Sequence, residues 1–396
     1  MNDRIDWIEN ETRALAESGL LRQFKTRESP PVAGMVQIDG RQFINFGSND
    51  YLGIAASQPL VYAVENTIGQ VGFGSGASQL VNGRGTLHRR LERELAAFEG
   101  TESALLFPTG YAANVGTISS LVGKQDAVFS DQLNHASIID GCRLSQAKTH
   151  VYPHNDLQFL EELLASEKTA RRRLIVTDSL FSMDGDFAKL PELCEIVGRT
   201  GAMLMVDEAH ATGVFGAHGR GACEKFEVEH LVDVRVGTLS KSLGGIGGFV
   251  VGSKRLTDWL LNTARPQIFS TAMPEVCAAA AIAALEVVQQ EPERREQLLR
   301  LSEKLRHELV QSGCSIAGSE SQIVPIVIGK SEDAVKVSQE LAERGIYVPA
   351  IRPPAVPEGK SRLRVSVCSQ HTEGQLEKLT ECLLKFASPT GKSSQN

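Results

Sequence analysis

Short apolar runs and amphipathic stretches alternate along the middle of the chain. The apolar runs predict buried strands at residues 104–107, 127–130, 174–178, 203–207 and 234–239. Apolar positions that recur at helical spacing predict helices near residues 87–98, 112–121, 137–145 and 190–200. Because strands that alternate with helices in this way form parallel sheets covered by helices, the pattern predicts a three-layer α/β fold with a mostly parallel sheet flanked by helices.

The two ends of the chain follow different patterns. Residues 4–25 have helical spacing that Pro30-Pro31 ends, and a hairpin is predicted around Asp39-Gly40. Beyond residue 290, the pattern predicts helices at 294–312, 332–344 and 375–386, and strands at 323–328 and 363–367. The predicted parts are an N-terminal segment (1–50), a large α/β domain (51–288), a smaller α+β C-terminal domain (289–387) and a flexible, solvated tail (388–396).

The composition is that of a globular protein. Hydrophobic residues make up 42% of the 396 positions, and 41 basic against 48 acidic residues give a net charge of −7. This balance gives no reason to expect a basic face, so we expect no nucleic-acid partner. The seven cysteines include no C-x-x-C pair, so we expect reduced thiols and no metal site. No apolar signal segment opens the chain, and the apolar stretch at 276–288 is too short to span a bilayer, so we expect a cytoplasmic protein with no membrane partner.

Lys241 is the first candidate for chemistry. It follows a predicted strand and precedes the glycine-rich stretch 242–248. A lysine beside a desolvated site can lose its proton and form a Schiff base with an aldehyde. The alternative is a solvated loop lysine before a hairpin. The glycines lead into the apolar run 249–251 and not into a helix, which disfavours a dinucleotide-binding loop.

Asp207 and His210 follow the charge-free run 202–206. A carboxylate in such surroundings is costly unless a cation meets it, and a protonated pyridine nitrogen is one such cation. His210 could then donate to a hydroxyl of the same ring. A structural aspartate paired with an arginine or a helix N-terminus is the alternative.

Gly110 and Tyr111 open a predicted helix, where backbone N–H groups and the helix dipole suit a phosphate. Helix capping by Thr109 is the alternative function of this segment. Hydroxyl groups that could add phosphate contacts belong to Ser182, Thr238, Ser270 and Thr271. His135, after the strand at 127–130, could stack on a flat ring or be a core histidine.

One cofactor needs all of these groups together. Pyridoxal 5′-phosphate requires an amine for its aldehyde, an acid for its ring nitrogen, a cradle for its phosphate and a group that stacks on its ring. Four strand-end segments, at residues 108–111, 134–135, 207–210 and 238–241, lie at or just beyond the carboxyl ends of predicted strands, where open parallel sheets bind their ligands. We therefore predict that the chain binds this cofactor.

The sequence resembles the α-oxoamine synthases, which are fold-type I enzymes that use pyridoxal phosphate. The similarity runs from about residue 20 to residue 385. The segments that carry it are 45–53 (NFGSNDYLG), 74–78 (GSGAS), 134–141 (NHASIIDG), 181–186 (FSMDGD), 207–213 (DEAHATG) and 351–354 (IRPP).

The resemblance implies a role for each candidate. Lys241 would hold the cofactor and, once released, remove the Cα proton of an amino acid, while Asp207 supports the ring as an electron sink. His135 would stack on the ring, and His210 would contact the ring oxygen. Residues implied in binding the amino-acid carboxylate are Arg364 and Asn49. Ser270 and Thr271 would reach the phosphate of the neighbouring subunit, which implies a homodimer with active sites at the subunit interface.

Within the family, the chain is most similar to the biotin-pathway branch, which condenses L-alanine with a pimeloyl thioester of coenzyme A or acyl carrier protein. Ala355 stands where the family often has threonine, and Arg22 is the best match for an acyl-donor arginine. Branches that use glycine or serine are the first alternative, namely the 2-amino-3-ketobutyrate ligase, 5-aminolevulinate synthase and serine palmitoyltransferase types. A binding protein without turnover and a nicotinamide dehydrogenase are alternatives of other classes.

Overall fold

The computed structural model describes residues 4–385, and the tail predicted at 388–396 lies outside the described residues. The strands are β1 (Met35–Ile38), β2 (Arg41–Asn45), β3 (Ser103–Phe107), β4 (Ala127–Asp131), β5 (Lys148–Tyr152), β6 (Arg173–Asp178), β7 (Met203–Asp207), β8 (Val234–Thr238), β9 (Gly248–Gly252), β10 (Ile323–Gly329), β11 (Ile346–Tyr347), β12 (Ala350–Ile351) and β13 (Ser361–Ser366). The α-helices are α1 (Trp7–Glu17), α2 (Gln58–Val71), α3 (Thr86–Glu99), α4 (Gly110–Leu121), α5 (Ala136–Ser145), α6 (Leu157–Ser166), α7 (Leu190–Thr200), α8 (Ala222–Lys225), α9 (Lys254–Thr263), α10 (Arg265–Ile268), α11 (Glu275–Gln290), α12 (Glu293–Gln311), α13 (Ser331–Glu343) and α14 (Glu373–Leu384).

The described chain forms two compact units, and the larger one contains residues 49–182 and 186–299. Its sheet has seven strands in the order β3-β9-β8-β7-β6-β4-β5. Strands β4 to β8 pair in parallel, whereas β9 is antiparallel to both β3 and β8. The predicted α/β fold with a mostly parallel sheet is therefore confirmed.

Both faces of this sheet are buried. On β6, Leu174 and Val176 belong to a buried cluster that includes side chains of α4 and α5. Ile175 points to the opposite face, because side chains alternate along a strand, and it is equally buried. Burial on both faces explains why these strands have continuous apolar sequences. No helix within residues 4–385 combines the length and the apolar character needed to cross a membrane.

The smaller unit contains residues 4–48, 183–185 and 300–385, so it is built from both ends of the chain. Strand β2 pairs in parallel with β11, and β10 pairs antiparallel with β13. His371 stacks on Phe46 with ring centroids 4.3 Å apart. Contacts between residues this far apart in sequence hold the N-terminal hairpin to the C-terminal strands.

The N-terminal helix is shorter than its apolar spacing predicts. Helix α1 ends at Glu17, because Gly19 adopts a left-handed φ of 68° and Ser18 Oγ donates to the carbonyl of Ala14 at 2.9 Å. No residue of α1 is buried, so packing within the chain does not extend it. The prediction of helical structure over residues 4–25, ended by Pro30-Pro31, was wrong at its C-terminal end.

Replacing Leu204 tests the core of the sheet. Leu204 lies in the central strand β7 and is fully buried, so Leu204→Ala should lower the free energy of unfolding by roughly 2–5 kcal/mol through the cavity it leaves. Urea unfolding of the purified protein measures this loss. Leu144 is 63% exposed, and Leu144→Ala should change the same quantity by about 0.5 kcal/mol or less. Equal losses in the two variants would contradict this packing.

Candidate active site

The carboxyl ends of β6, β7 and β8 meet at one edge of the large sheet. Because β6 and β7 are parallel and in register, Asp178 lies opposite Asp207. A pocket of about 250 Å³ opens at this edge. Its lining residues are Thr109, Gly110, Tyr111, Asn114, His135, Ser137, Asp178, Asp207, Ala209, His210, Thr238, Ser240 and Lys241. Every strand-end segment that the sequence singled out for chemistry therefore contributes to one cavity.

Lys241 reaches the pocket from a tight loop after β8. Gly244 in this loop has a φ of 63°, and a Cβ at this position would lie 2.7 Å from the backbone nitrogen of Ala55. Only glycine fits such a backbone and such a close approach. The loop leaves Lys241 half-buried, with Nζ 2.9 Å from Nε2 of His210. The lysine is thus part of the pocket, and the alternative of a solvated loop lysine is wrong.

Asp207 is 5% exposed, and neutral groups hold both of its carboxylate oxygens. Asn114 Nδ2 donates to Oδ2 at 2.6 Å, and the backbone N–H of Ala209 donates to Oδ1 at 2.8 Å. Among residues 4–385, no lysine or arginine forms a salt bridge with this carboxylate. A buried carboxylate without such a partner is suited to a cation supplied by a ligand. The arginine-paired aspartate that the sequence left open is therefore excluded within the described chain.

The Asp178 carboxyl group is a second acid in the pocket, and the sequence analysis missed it. Burial raises the pKa of Asp178 well above its usual range, and the charge of Asp207 raises it further. Its Oδ2 accepts the backbone N–H of His135 at 2.8 Å, so it also fixes the start of α5. Its signal in the sequence is its position, because it ends a predicted strand just as Asp207 does.

The first turn of α4 forms the opposite wall of the pocket. Thr109 Oγ1 accepts the N–H of Ala112 at 3.0 Å, which confirms helix capping by this residue. The N–H groups of Gly110 and Tyr111 precede the first possible intrahelical bonds and remain available for an anion. A Cβ at Gly110 would lie 3.2 Å from Cβ of Thr238, so a side chain would crowd this wall. Capping and anion binding are therefore compatible here.

His135 caps α5 and presents an exposed ring at the pocket. Its Nδ1 accepts the backbone N–H of Ser137 at 3.2 Å. Partial burial lowers the pKa of His135, the charge of Asp207 opposes this shift, and Lys241 adds to it. A largely neutral, accessible ring can stack on a flat ligand, and the alternative of a core histidine is wrong.

Of the hydroxyl groups predicted to contact the phosphate, that of Thr238 lines this pocket, whereas those of Ser182, Ser270 and Thr271 do not. Ser182 lies beyond β6, and Ser270 and Thr271 follow α10. Thr271 is exposed and forms an isolated antiparallel bridge with Ser78, and the neighbouring Ala272 N–H donates to the carbonyl of Ala77 at 3.0 Å. This pairing fixes the segment, and its role stays a prediction.

The predicted substrate residues have different surroundings. Asn49 is exposed, and its Oδ1 accepts the hydroxyl of Tyr51 at 3.2 Å. Arg364 is buried in β13 of the smaller unit, where its Nη1 donates to Ser366 Oγ at 2.7 Å. Arg22 and Ala355 are exposed residues of the same unit. Their roles in substrate binding remain predictions.

His154 stabilises the loop that leads from β4 to His135. Its two ring nitrogens lie 3.1 Å from Asp131 Oδ1 and 2.7 Å from Asp186 Oδ2. Asp131 ends β4 and also accepts the backbone N–H of Leu133 at 2.8 Å. Burial by itself lowers the pKa of His154, but the hydrogen bonds and charges of Asp131 and Asp186 raise it to about 10. The protonated imidazole therefore neutralises the carboxylates of Asp131 and Asp186, which lie outside the pocket lining.

The charge of His154 should make stability depend on pH. Because the pKa of about 10 in the folded protein exceeds the ordinary value of 6.5, the stabilisation is fully present below pH 6.5 and is lost as the pH rises toward 10. Wild type should therefore unfold at a higher temperature than His154→Gln at pH 6, and the gap should close by pH 10. Thermal unfolding across this range measures the gap. His307→Gln alters an exposed histidine and should show no such trend. A gap that widens with pH would refute the assignment.

Residues 41–383 match the family Aminotransferase class I and II. The chain therefore belongs to this family, which confirms the predicted resemblance to fold-type I enzymes. Among its relatives is the 8-amino-7-oxononanoate synthase of Geobacter sulfurreducens, which is 46% identical over 390 residues and covers 97% of this chain and 98% of the relative.

Two solved structures show the same fold. A serine palmitoyltransferase solved with a pyridoxal phosphate internal aldimine has a TM-score of 0.91 and 33% identity, over 96% of this chain and 97% of that chain. The 8-amino-7-oxononanoate synthase of Francisella tularensis has a TM-score of 0.77 and 29% identity, over 87% of this chain and 97% of that chain. Fold and sequence thus both point to enzymes of this type.

Proposed function

We propose that the protein condenses L-alanine with a pimeloyl thioester and releases CO₂ and the thiol, which yields 8-amino-7-oxononanoate in biotin biosynthesis. The observation that carries this proposal is the pocket in which Lys241, the buried Asp207 and the start of α4 meet. The 46% identity to an 8-amino-7-oxononanoate synthase over 390 residues supports the choice of reaction.

The residues of the pocket fit pyridoxal 5′-phosphate. Asp207 is a buried acid that forms no salt bridge with a lysine or arginine among the described residues, which suits a protonated ring nitrogen. The open N–H groups of Gly110 and Tyr111 suit a phosphate, with Thr238 beside them. Exposed His135 suits stacking, and half-buried Lys241 supplies the amine. The described solved relative binds this same cofactor.

When bound, the cofactor supplies an aldehyde that takes up amines and a ring that accepts electrons. Lys241 would hold the aldehyde and, as a free amine, accept the Cα proton of alanine at Nζ. Asp207 would keep a proton on the ring nitrogen, and Asn114 orients the acceptor oxygen from 2.6 Å. His210, 2.9 Å from Nζ, would stabilise the protonated form of Lys241 and contact the ring oxygen.

The substrates would be bound by residues that carry family motifs. Arg364 has the planar guanidinium that suits a carboxylate, and we assign it to the carboxylate of alanine. Asn49 is assigned an assisting role in the same recognition. Arg22 and Ala355 are assigned to the acyl donor, carried on coenzyme A or acyl carrier protein. Each of these assignments rests on the resemblance of the sequence to the α-oxoamine synthases.

We also propose a homodimer with active sites at the subunit interface, in which Ser270 and Thr271 reach the phosphate site of the partner. Large apolar side chains are exposed close in sequence to Ser270 and Thr271, and close in sequence to Ser78, with which Thr271 pairs. They are Phe73 (69% exposed), Leu80 (54%), Val81 (77%) and Phe269 (69%). Large apolar side chains left exposed in one region of the sequence favour an interface there.

A serine-dependent condensation is the second candidate. It is favoured by the TM-score of 0.91 to serine palmitoyltransferase, which exceeds the 0.77 to the Francisella tularensis synthase. Sequence identity favours alanine, at 46% to an 8-amino-7-oxononanoate synthase against 33% to the serine palmitoyltransferase. The choice of amino-acid substrate depends on which side chains line the site, and the backbone fold does not report them. Sequence identity is therefore a better guide to the substrate than the TM-score.

Product identification decides between the candidates. Purified protein with pyridoxal phosphate is mixed with alanine, glycine or serine and with pimeloyl-CoA, pimeloyl-acyl carrier protein, acetyl-CoA, succinyl-CoA or palmitoyl-CoA. Mass spectrometry should detect 8-amino-7-oxononanoate from alanine and a pimeloyl thioester. Faster product formation from serine and palmitoyl-CoA would overturn the proposal in favour of the second candidate.

Asp207→Asn tests the role of the buried acid. The amide is nearly isosteric but cannot hold a ring proton, so turnover should fall on the order of 10²–10⁴-fold while the unfolding temperature stays close to wild type. Steady-state kinetics and thermal unfolding measure the two quantities. Asp258→Asn is the control, since Asp258 lies on the exposed face of α9 and pairs with Lys254. Wild-type turnover in Asp207→Asn would remove the proposed role.

A further inference from the structure

The side chain of Tyr111 links two helices at the edge of the pocket. Tyr111 is the second residue of α4, and its hydroxyl donates a hydrogen bond to Oδ2 of Asp140 on α5. The tyrosine is 48% exposed and belongs to the pocket lining. The side chain therefore connects the first turn of α4 to the helix that His135 caps.

The direction of this hydrogen bond follows from the chemistry of the two groups. A carboxylate only accepts, so the phenolic O–H of Tyr111 is the donor. The other carboxylate oxygen, Oδ1 of Asp140, lies 3.3 Å from Nη1 of Arg143, so the two oxygens have separate partners. The hydrogen bond from Tyr111 to Asp140 raises the pKa of Tyr111 above its ordinary value of 10. The hydroxyl therefore keeps its proton and remains a donor at physiological pH.

Close packing against α4 makes α5 a firm support for this link. A Cβ at Gly141 of α5 would lie 3.0 Å from Cδ1 of Ile118 and 3.3 Å from the carbonyl oxygen of Asn114. Glycine at this position thus allows the two helices to approach closely. Asn114 is also buried and lies 2.9 Å from Oγ of Ser137, in the first turn of α5. The helix that carries Asp140 therefore has little room to shift.

The start of α4 gains most from such a link. The N–H groups of Gly110 and Tyr111 have no acceptor within the helix, and helix ends fray more readily than helix interiors. The Thr109 cap restrains the next residue, since its Oγ1 accepts the N–H of Ala112 at 3.0 Å. The hydrogen bond to Asp140 instead acts at Tyr111 itself, through a rigid ring with only two rotatable bonds.

We propose that Tyr111 is a positioning residue, whose hydrogen bond to Asp140 fixes the backbone N–H groups of Gly110 and Tyr111 for the phosphate of the cofactor. The inference deepens the proposed function and rests on it in one respect, namely that the start of α4 binds the phosphate of pyridoxal 5′-phosphate. A site whose donors are already ordered binds more tightly, because less conformational freedom is lost on binding.

The first test compares two ligands that differ only in the phosphate. Full-length protein freed of cofactor is titrated with pyridoxal 5′-phosphate and with pyridoxal, and the absorbance change on binding gives a Kd for each. Tyr111→Phe removes only the hydroxyl and should raise the Kd for pyridoxal 5′-phosphate about 3–10-fold, since one hydrogen bond contributes an effect of this order. The Kd for pyridoxal should stay at the wild-type value.

A matched control and two contrary outcomes make this comparison decisive. Tyr62→Phe is the control, because Tyr62 is 65% exposed, lies on α2 and is not part of the pocket lining. It should leave both Kd values unchanged. Equal losses for the two ligands in Tyr111→Phe would indicate a general loosening of the pocket and would overturn the inference. An unchanged Kd for pyridoxal 5′-phosphate would overturn it as well.

A second set of variants tests whether Asp140 is the partner. Asp140→Ala should raise the Kd for pyridoxal 5′-phosphate as much as Tyr111→Phe does. The double variant should lose no more affinity than either single variant, since both substitutions remove the same hydrogen bond. Arg143→Gln leaves the contact between Tyr111 and Asp140 in place and should not change this Kd. Additive losses in the double variant would show that the two side chains act separately and would contradict the proposal.

A third measurement needs no cofactor. Backbone hydrogen exchange is followed by mass spectrometry on peptides that span residues 108–114 of the cofactor-free protein. Exchange should be faster in Tyr111→Phe than in wild type, because the first turn of α4 loses its link to α5. Tyr62→Phe should exchange at the wild-type rate. Equal exchange in wild type and Tyr111→Phe would refute the ordering role of the hydroxyl.

The wild type separates this inference from the proposed function. If it failed to bind pyridoxal 5′-phosphate, both the proposed function and the inference would be refuted. If it bound the cofactor but Tyr111→Phe bound it equally well, the inference alone would be refuted. Identification of the product tests the proposed reaction whatever the tyrosine variant shows.

Discussion

The buried carboxylate of Asp207 is the constraint on which the pocket depends. It lies at the end of a central strand and is 5% exposed, and only neutral donors hold its oxygens. Burying a charged group is costly, and an oppositely charged partner with good geometry offsets that cost. Lys241 and His210 stand close by but pair with each other at 2.9 Å. The position therefore suits a cationic ligand group, as the proposed function requires.

The parallel sheet creates this situation. Strands that run in the same direction bring their carboxyl ends to one edge, and the register of β6 and β7 sets Asp178 beside Asp207. Two adjacent buried acids cannot both ionise at ordinary cost, which is why burial and Asp207 raise the pKa of Asp178. Asp178 accepts the backbone N–H of His135, and Asp207 is the acid that we propose for the ligand. The division of roles follows from strand register and burial.

Residues around the pocket hold the side chains of Lys241, His135 and His210 in place. Gly244 allows a sharp turn that presents Lys241, and His154 neutralises two carboxylates behind the loop that carries His135. Tyr51 adds an internal hydrogen-bond chain on the far side of His210. Gly244, His154 and Tyr51 all lie outside the pocket lining.

The sequence by itself determined the strand and helix pattern of the large unit and the four strand-end segments, because apolar periodicity and residue chemistry are local properties. It also carried the motifs that identify the family. Only the tertiary structure revealed that Asp178 and Asn114 are neighbours of Asp207 and that Tyr51 is a neighbour of His210. Strand register and long-range hydrogen bonds bring these residues together. The tertiary structure also showed that α1 ends at Glu17, earlier than predicted, because none of its residues is buried against the rest of the chain. Local pattern fixes which groups are present, and long-range packing decides which of them meet.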